Sequence, residues 1–344
     1  MSGSEILDRA APEISVIAKE FSERIDRERR KSRIVDIAPF VTFLVMLAIM
    51  AFLIPGFFTR DNFVGLLNQI AAPLVLATGL TFVLLLGSID LSVDGMVGLG
   101  GSLVALLVMN TKNANNYGIW AVVAVLAVGL LAGFVNGLVH VKLRIPSFIV
   151  TFATNSIALG LAVLSYSGAP PGVLEPRFET MVQGHLLGIP YLTLVALAIF
   201  LLGNLILKRT AFGEYVYAVG ENESILLSVG INVERVKILV FVISGFCTSV
   251  AGIFGAMRLN RGDATMGYGM MFSAITAVVV GGTSLYGGKG GLVQSLVGVL
   301  IVALVRNAMV LLGVNAYIQA AIQSLIIIVV VSLTVARGRK LIIK

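Results

Sequence analysis

The sequence predicts an all-α polytopic membrane protein with about ten transmembrane helices, one of them short or re-entrant, and both termini in the cytoplasm. Three observations carry this. The 344-residue chain is 58% hydrophobic and only 12% charged, where soluble domains hold about a quarter charged residues; its mean hydropathy is +0.99. Apolar runs near the roughly 20 residues that span the hydrocarbon core as a helix recur along the chain. The lysines and arginines fall unevenly between the two sides that such crossings define, the mark of a positive-inside topology.

Taken in order, residues 1–36 form a charged arm. Ile14, Ile17, Phe21 and Ile25 lie three and four apart among its charges, one face of an amphipathic cytoplasmic helix. The crossings fall at 37–54, 67–87, 93–109, 119–139, 146–166, 189–207, 236–257, 271–284, 292–313 and 316–336, so that 37–336 is the transmembrane domain and 337–344 a basic cytoplasmic tail. The eighth, near fourteen residues, reads as a half-helix or re-entrant piece. With this count the arm, Lys142, Arg144, Lys208, Arg209, Arg235, Lys237, Lys289 and the tail share one side. Arg60, Lys112, Arg177, Arg258 and Arg261 take the other, and Arg306 stays within a span. Dropping the eighth crossing would put the basic tail outside.

Several function classes fall away. The start shows no apolar core with a small-residue cleavage site. Cys247 is a single cysteine within an apolar helix and reads as a buried packing thiol. His140 and His185 fall on opposite predicted sides, which brings no metal cluster together. The net charge of +7 is an orientation signal rather than a sign of nucleic acid. The glycine run "GGTSLYGGKGG" (281–291) does not meet the phosphate-loop pattern, since Thr283 and Gly290 stand where glycine and a hydroxyl are required.

Polar interruptions remain as candidate sites. In "LLLGSIDLSVDGMVGLGG" (84–101), Asp90 and Asp94 are four apart and share a helical face if the helix starts early. Asp90 reads either as a pathway group or as a cap of the third span, while Asp94, one turn deeper, is the stronger pathway candidate. Gln69, Asn155, Gln319 and Gln323 are further pathway candidates, beside Asn136 and Asn307, each also readable as a hydrogen bond between helices. Such a lining, poor in charge, suits a small neutral hydroxylated solute. Gly281, Gly282, Gly287, Gly288, Gly290 and Gly291 predict a tight connection between a short helix and a long one. The loop 208–235 holds a short helix in which Asn222 caps, Glu223 suits the helix dipole and Gly230 takes the left-handed terminal position. Its Ile225, Leu226 and Leu227 need a covering surface, either this protein's own or a partner's groove.

Four segments together resemble one family. "GSIDLSVDGMVGLGGSLVALL", "LAGFVNGLVHVKLRIPSFIVTFATNSIALGLAVL" and "AVGENESILLSVGINVERVKILVFVISGFCTSVAGI", followed by "AVVVGGTSLYGGKGGLVQSLVGVLIVALVRNAMVLLGV", are similar to the permease subunits of bacterial ABC importers for ribose, xylose, arabinose and galactosides. The resemblance implies a multi-pass protein of the bacterial inner membrane, with no catalytic residue or cofactor of its own. ATP and magnesium would belong to a cytoplasmic ATPase subunit. A second permease, as homo- or heterodimer, and a periplasmic binding protein would complete the transporter. It implies too that the Asn222–Gly230 helix is the coupling helix seated on the ATPase. The chain departs from the pattern in "ESILLSVGI", where small residues are usual, in "GYGMMFSAITAVV", which lacks two acids, and at Asp94, where glycine is common. A polyol, cyclitol or autoinducer-like furanose is therefore an alternative solute.

Two other readings stand beside it. A self-sufficient secondary transporter would use Asp94 as a proton or cation site, its mark being an inverted pair of interrupted helices, with 84–95 and 281–291 as the pair. A branched-chain amino acid permease shares the architecture but not the "IDLSV" and "GGTSLYGG" wording.

Overall fold

The computed structural model describes residues 37–338; the amphipathic arm and the tail beyond Gly338 lie outside the described residues. Ten helices correspond to the ten expected crossings: α1 (Ile37–Leu53), α2 (Arg60–Leu85), α3 (Val93–Leu107), α4 (Ile119–Lys142), α5 (Ser147–Ser165), α7 (Tyr191–Arg209), α9 (Val233–Leu259), α10 (Met270–Val280), α11 (Leu292–Leu311) and α12 (Ala316–Gly338). Six of these (α2, α4, α5, α7, α9 and α11) are long and apolar enough to cross a membrane. At one end of the bundle a short helix, α6 (Pro176–Gln183), precedes a hairpin of β1 (His185–Leu186) and β2 (Ile189–Pro190). At the other end lies α8 (Ala211–Ser228).

The core forms around α2 and α9. Thr59 starts α2 by accepting a hydrogen bond from the Asn62 amide, and Asn232 starts α9 by accepting one from Arg235, each satisfying an otherwise orphaned N–H. The second half of α2, from Ala71 to Leu85, is buried almost without a break. α4 approaches α9 backbone to backbone. A Cβ on Gly133 would collide with the Phe241 carbonyl, and one on Gly137 would lie 2.7 Å from the Ile238 Cα. This glycine stripe, four residues apart, replaces the hydrophobic drive that is lost in lipid with close van der Waals contact. Phe134, Phe152, Leu164 and Leu202, by contrast, are exposed on the outer faces of α4, α5 and α7, as lipid contact requires.

Two helices are too short to span. α10, expected to be short, runs 11 residues, about 16 Å. α3, expected as a full crossing, runs only 15, about 22 Å against a core of roughly 30 Å. Each is preceded by non-helical backbone, 86–92 before α3 and 260–269 before α10. These lead-ins enter from opposite ends of the bundle: the first follows α2 at the α8 end, the second follows α9 at the α6 end. The inverted pair of interruptions is therefore 86–92 with 260–269, not 84–95 with 281–291. The glycine run 281–291 sits instead at the α8 end, joining α10 to α11.

Candidate functional site

Non-helical backbone inside a bundle leaves N–H groups that must be satisfied by protein. For 86–92, α5 supplies the partners. Ser147, Thr151 and Asn155, four residues apart on one face, accept from the amides of Ile89 (3.1 Å), Leu91 (2.9 Å) and Gly95 (2.6 Å). Asp90 lies between them, 2% exposed. Its carboxylate accepts from the Ser92 amide at 2.9 Å, the Ser92 hydroxyl at 2.6 Å and the Ser244 hydroxyl on α9 at 2.6 Å. Asn136 on α4 reaches the Ser92 hydroxyl and accepts from Thr154. Because α3 begins only at Val93, Asp90 and Asp94 do not share a helical face. Asp90 ties the lead-in to α9 and does not line the cavity described next.

Asp94 stands in the first turn of α3. Its two carboxylate oxygens accept from the Gly269 amide at 2.9 Å and the Met271 amide at 2.7 Å. α10 has no side-chain cap of its own; Gly269 occupies its cap position with φ +78°. Asp94 thus caps a helix 175 residues away in sequence, and α3 and α10 begin at the same depth. A Cβ on Gly267 would collide with the Asp94 carbonyl, so the descending segment lies directly on the α3 backbone. Beside this junction α1, α3, α10, α11 and α12 line a cavity of about 780 Å³ that includes Thr42, Asp94, Tyr268, Ser273 and Gln323. Of the six pathway candidates, Asp94 and Gln323 reach this cavity. Asn155 and Asp90 belong to the lead-in network. Gln69 is half-buried on α2, and the Gln319 side chain donates to the Val314 carbonyl at 2.8 Å.

The 208–235 loop is built as a hinged pair of helices. α8 breaks at Asn222, whose φ −162° and ψ 98° are not helical. Asn222 then restarts the chain by accepting from the Ser224 amide, and Glu223 pairs with Lys237 at 2.7 Å. The second helix ends in a Schellman turn, with Ile231 N–H donating to Leu226 and Gly230 N–H to Leu227. Gly230 takes φ +78° there, where a β-branched residue is strained. Leu226 is buried in this protein's own core, whereas Ile225, Leu227 and Val229 are exposed. The three apolar residues expected to act together therefore divide, with Leu226 inside and its neighbours outside.

The glycine run rests on the other half of α8. A Cβ on Gly220 would collide with the Leu85 carbonyl at the end of α2, and one on Gly287 would lie 2.9 Å from the Gly220 Cα and from the Gly87 amide. Gly87, Gly220 and Gly287 thus bring three segments together at one point. The run closes on itself through the Ser284 amide and the Lys289 carbonyl, and is held by the Gly288 amide on Leu85 and the Gly291 amide on Thr283. Tyr217 on α8 donates to the Gly290 carbonyl at 2.9 Å, and burial raises its phenol pKa, which keeps it a donor. Its amides thus turn inward, a use unlike that of a phosphate cradle.

Comparison with known proteins agrees with this architecture. The sequence profile described as the permease component of the branched-chain amino acid transport system matches residues 62–331. The chain is 37% identical over 295 residues to the ribose import permease protein RbsC of Escherichia coli (strain K12), covering 85% of this chain and 91% of that one. It is 34% identical over 299 residues to RbsC of Bacillus subtilis (strain 168), covering 86% and 92%. It is 36% identical over 295 residues to the L-arabinose ABC transporter permease protein AraH of Azospirillum brasilense, covering 85% of each. No solved structure matches the chain. With its apolar helices, its paired half-helices and a match over most of its length, the chain is a multi-pass membrane protein that belongs to the family of transport-system permease components.

Proposed function

We propose that this chain is the transmembrane permease subunit of an ABC importer of the bacterial inner membrane that translocates a sugar or sugar-like polyol. In this reading the α8 end is cytoplasmic and binds a separate ATPase subunit, which holds ATP and magnesium. The α6 end receives solute from a periplasmic binding protein. A second permease, as homo- or heterodimer, closes the open side of the cavity. Relatives named for ribose and arabinose support the solute class.

The observation that carries the reading is the apolar surface at the end of α8, the ridge, where Ile225 and Val229 stand exposed on one flank of the buried Leu226, and Leu227 on the other. Such a ridge fits the helix-in-groove mode of recognition. A self-sufficient transporter would share the paired half-helices but has no use for the ridge.

The test is purification of the tagged chain from native membranes in mild detergent. The wild type is expected to bring down an ATPase, and the Ile225→Asp, Leu227→Asp double variant to lose it while remaining folded. A folded wild-type chain that brings down no ATPase, yet transports alone in liposomes, would overturn the proposal.

A further inference from the structure

Asp94 carries the one charged side chain among the described residues that line the cavity. It is also where α3 and α10 meet head to head, each with its N-terminus at the junction. A helix N-terminus presents unsatisfied N–H groups and the positive end of the backbone dipole. Two of them converging beside a cavity would draw in an anion. Here that place is already taken. Each carboxylate oxygen of Asp94 holds one α10 amide and keeps further acceptor capacity. The group is half-buried, with one side open to the cavity beside Tyr268, Ser273 and Gln323.

We propose that Asp94 is a specificity-determining residue that sets the charge class of the solute. By filling the junction with its own carboxylate, it makes the cavity reject anionic sugar derivatives such as sugar acids and sugar phosphates. Its spare acceptor positions face the hydroxyls of a neutral polyhydroxylated solute, which Ser273 and Gln323 can also meet. The inference rests on the permease reading for its biological meaning, but its test requires neither transport nor a partner.

The test is amide hydrogen exchange across 265–275 in the full chain in lipid nanodiscs, with D-ribonate as the anionic probe and D-ribose as its neutral counterpart. In the wild type the Gly269 and Met271 amides are expected to exchange slowly and to be indifferent to ribonate. Asp94→Gly should speed their exchange about fivefold, the usual weight of a cap, and ribonate, but not ribose, should slow it again. Asp94→Asn, nearly isosteric, keeps one acceptor oxygen and loses the charge, so its exchange should fall between the two. It supplies the answer should the glycine variant fail to fold. Exchange unchanged in both variants, restoration of the glycine variant by ribose as well as by ribonate, or equal protection of the wild type by ribonate would each overturn the proposal. A chain that passes this test but recruits no ATPase would retain the charge filter and lose the importer assignment.

Discussion

Single residues at the two ends of the bundle carry sharply different burdens. Gly220 has no room for a methyl group, because the Leu85 carbonyl and the Gly288 amide already occupy the space. Gly220→Ala should cost about 1–3 kcal/mol, the range for overpacking. The chain has its own reporter: Cys247 is fully buried against Gly79, so its reaction with a thiol dye on heating reads unfolding directly, and the variant should react at lower temperature. At the α6 end, Asp263 responds to pH. Burial pushes its carboxyl up, but hydrogen bonds from the Thr265 amide and hydroxyl, with Arg261 nearby, outweigh burial and hold it below the usual carboxylate range. A group whose folded value is depressed stabilises above its unfolded value, near 3.9, and loses that contribution as pH falls through the folded value. Asp263→Asn should therefore loosen residues 260–268 at neutral pH, measured as faster amide exchange. The gap from wild type should close as the pH drops below the carboxylate range.

At the scale of elements, the lead-in 86–92 depends on α5 more than on its own helix. Thr151→Val keeps the volume and removes the acceptor for Leu91, leaving a buried N–H unmade at a cost of about 1–3 kcal/mol. Ser147→Ala and Asn155→Ala should act in the same direction, and pairs of these changes should be non-additive because they share one segment. Cys247 labelling during thermal unfolding measures each. Much of this level was legible beforehand. Apolar runs fall on ten of the described helices, the α10 segment read as short, and the cap at Asn222 followed from residue type. The bounds of α3 were legible to within two residues and the interruption before it was visible at 84–95, but a segment of this hydropathy reads as a full crossing, so that it stops short of the far side was not. The Ser147, Thr151, Asn155 stripe was present as a spacing of four. Yet serine and threonine in a span commonly bond their own preceding turn, so the stripe carried no distinct signal. Asp94 was recognisable as a charge at depth, but its partners are two backbone amides in another half of the chain, which have no side-chain signature at all.

At the scale of the whole molecule, one path joins the exposed ridge to the cavity. The ridge helix hinges at Asn222, next to the part of α8 that bears Gly220. Gly220 touches the end of α2, and with it the start of the lead-in to α3; it touches as well the glycine run that follows α10. Both half-helices are thereby tied to one point at the α8 end, α3 through its lead-in and α10 through the glycine run, while their N-termini meet at Asp94. Displacement of the ridge can thus reach both walls of the cavity through backbone contacts. The expected consequence is that Gly220→Ala lowers solute uptake by about tenfold or more while the ATPase still co-purifies. In contrast, Leu226→Asp, which puts a charge into the core, should leave no folded chain to purify.

The dependence of 86–92 on α5 also bears on how the protein is made. The amides of Ile89, Leu91 and Gly95 find their acceptors 58 to 60 residues later in the chain. Synthesis at roughly 5–20 residues per second leaves about 3–12 s before α5 emerges. Through that interval these groups have no partner that lipid could replace. The expected consequence is that α3 settles only once α5 is in place, so that a chain truncated before Ser147 leaves residues 86–95 open to aqueous labelling while the full chain protects them.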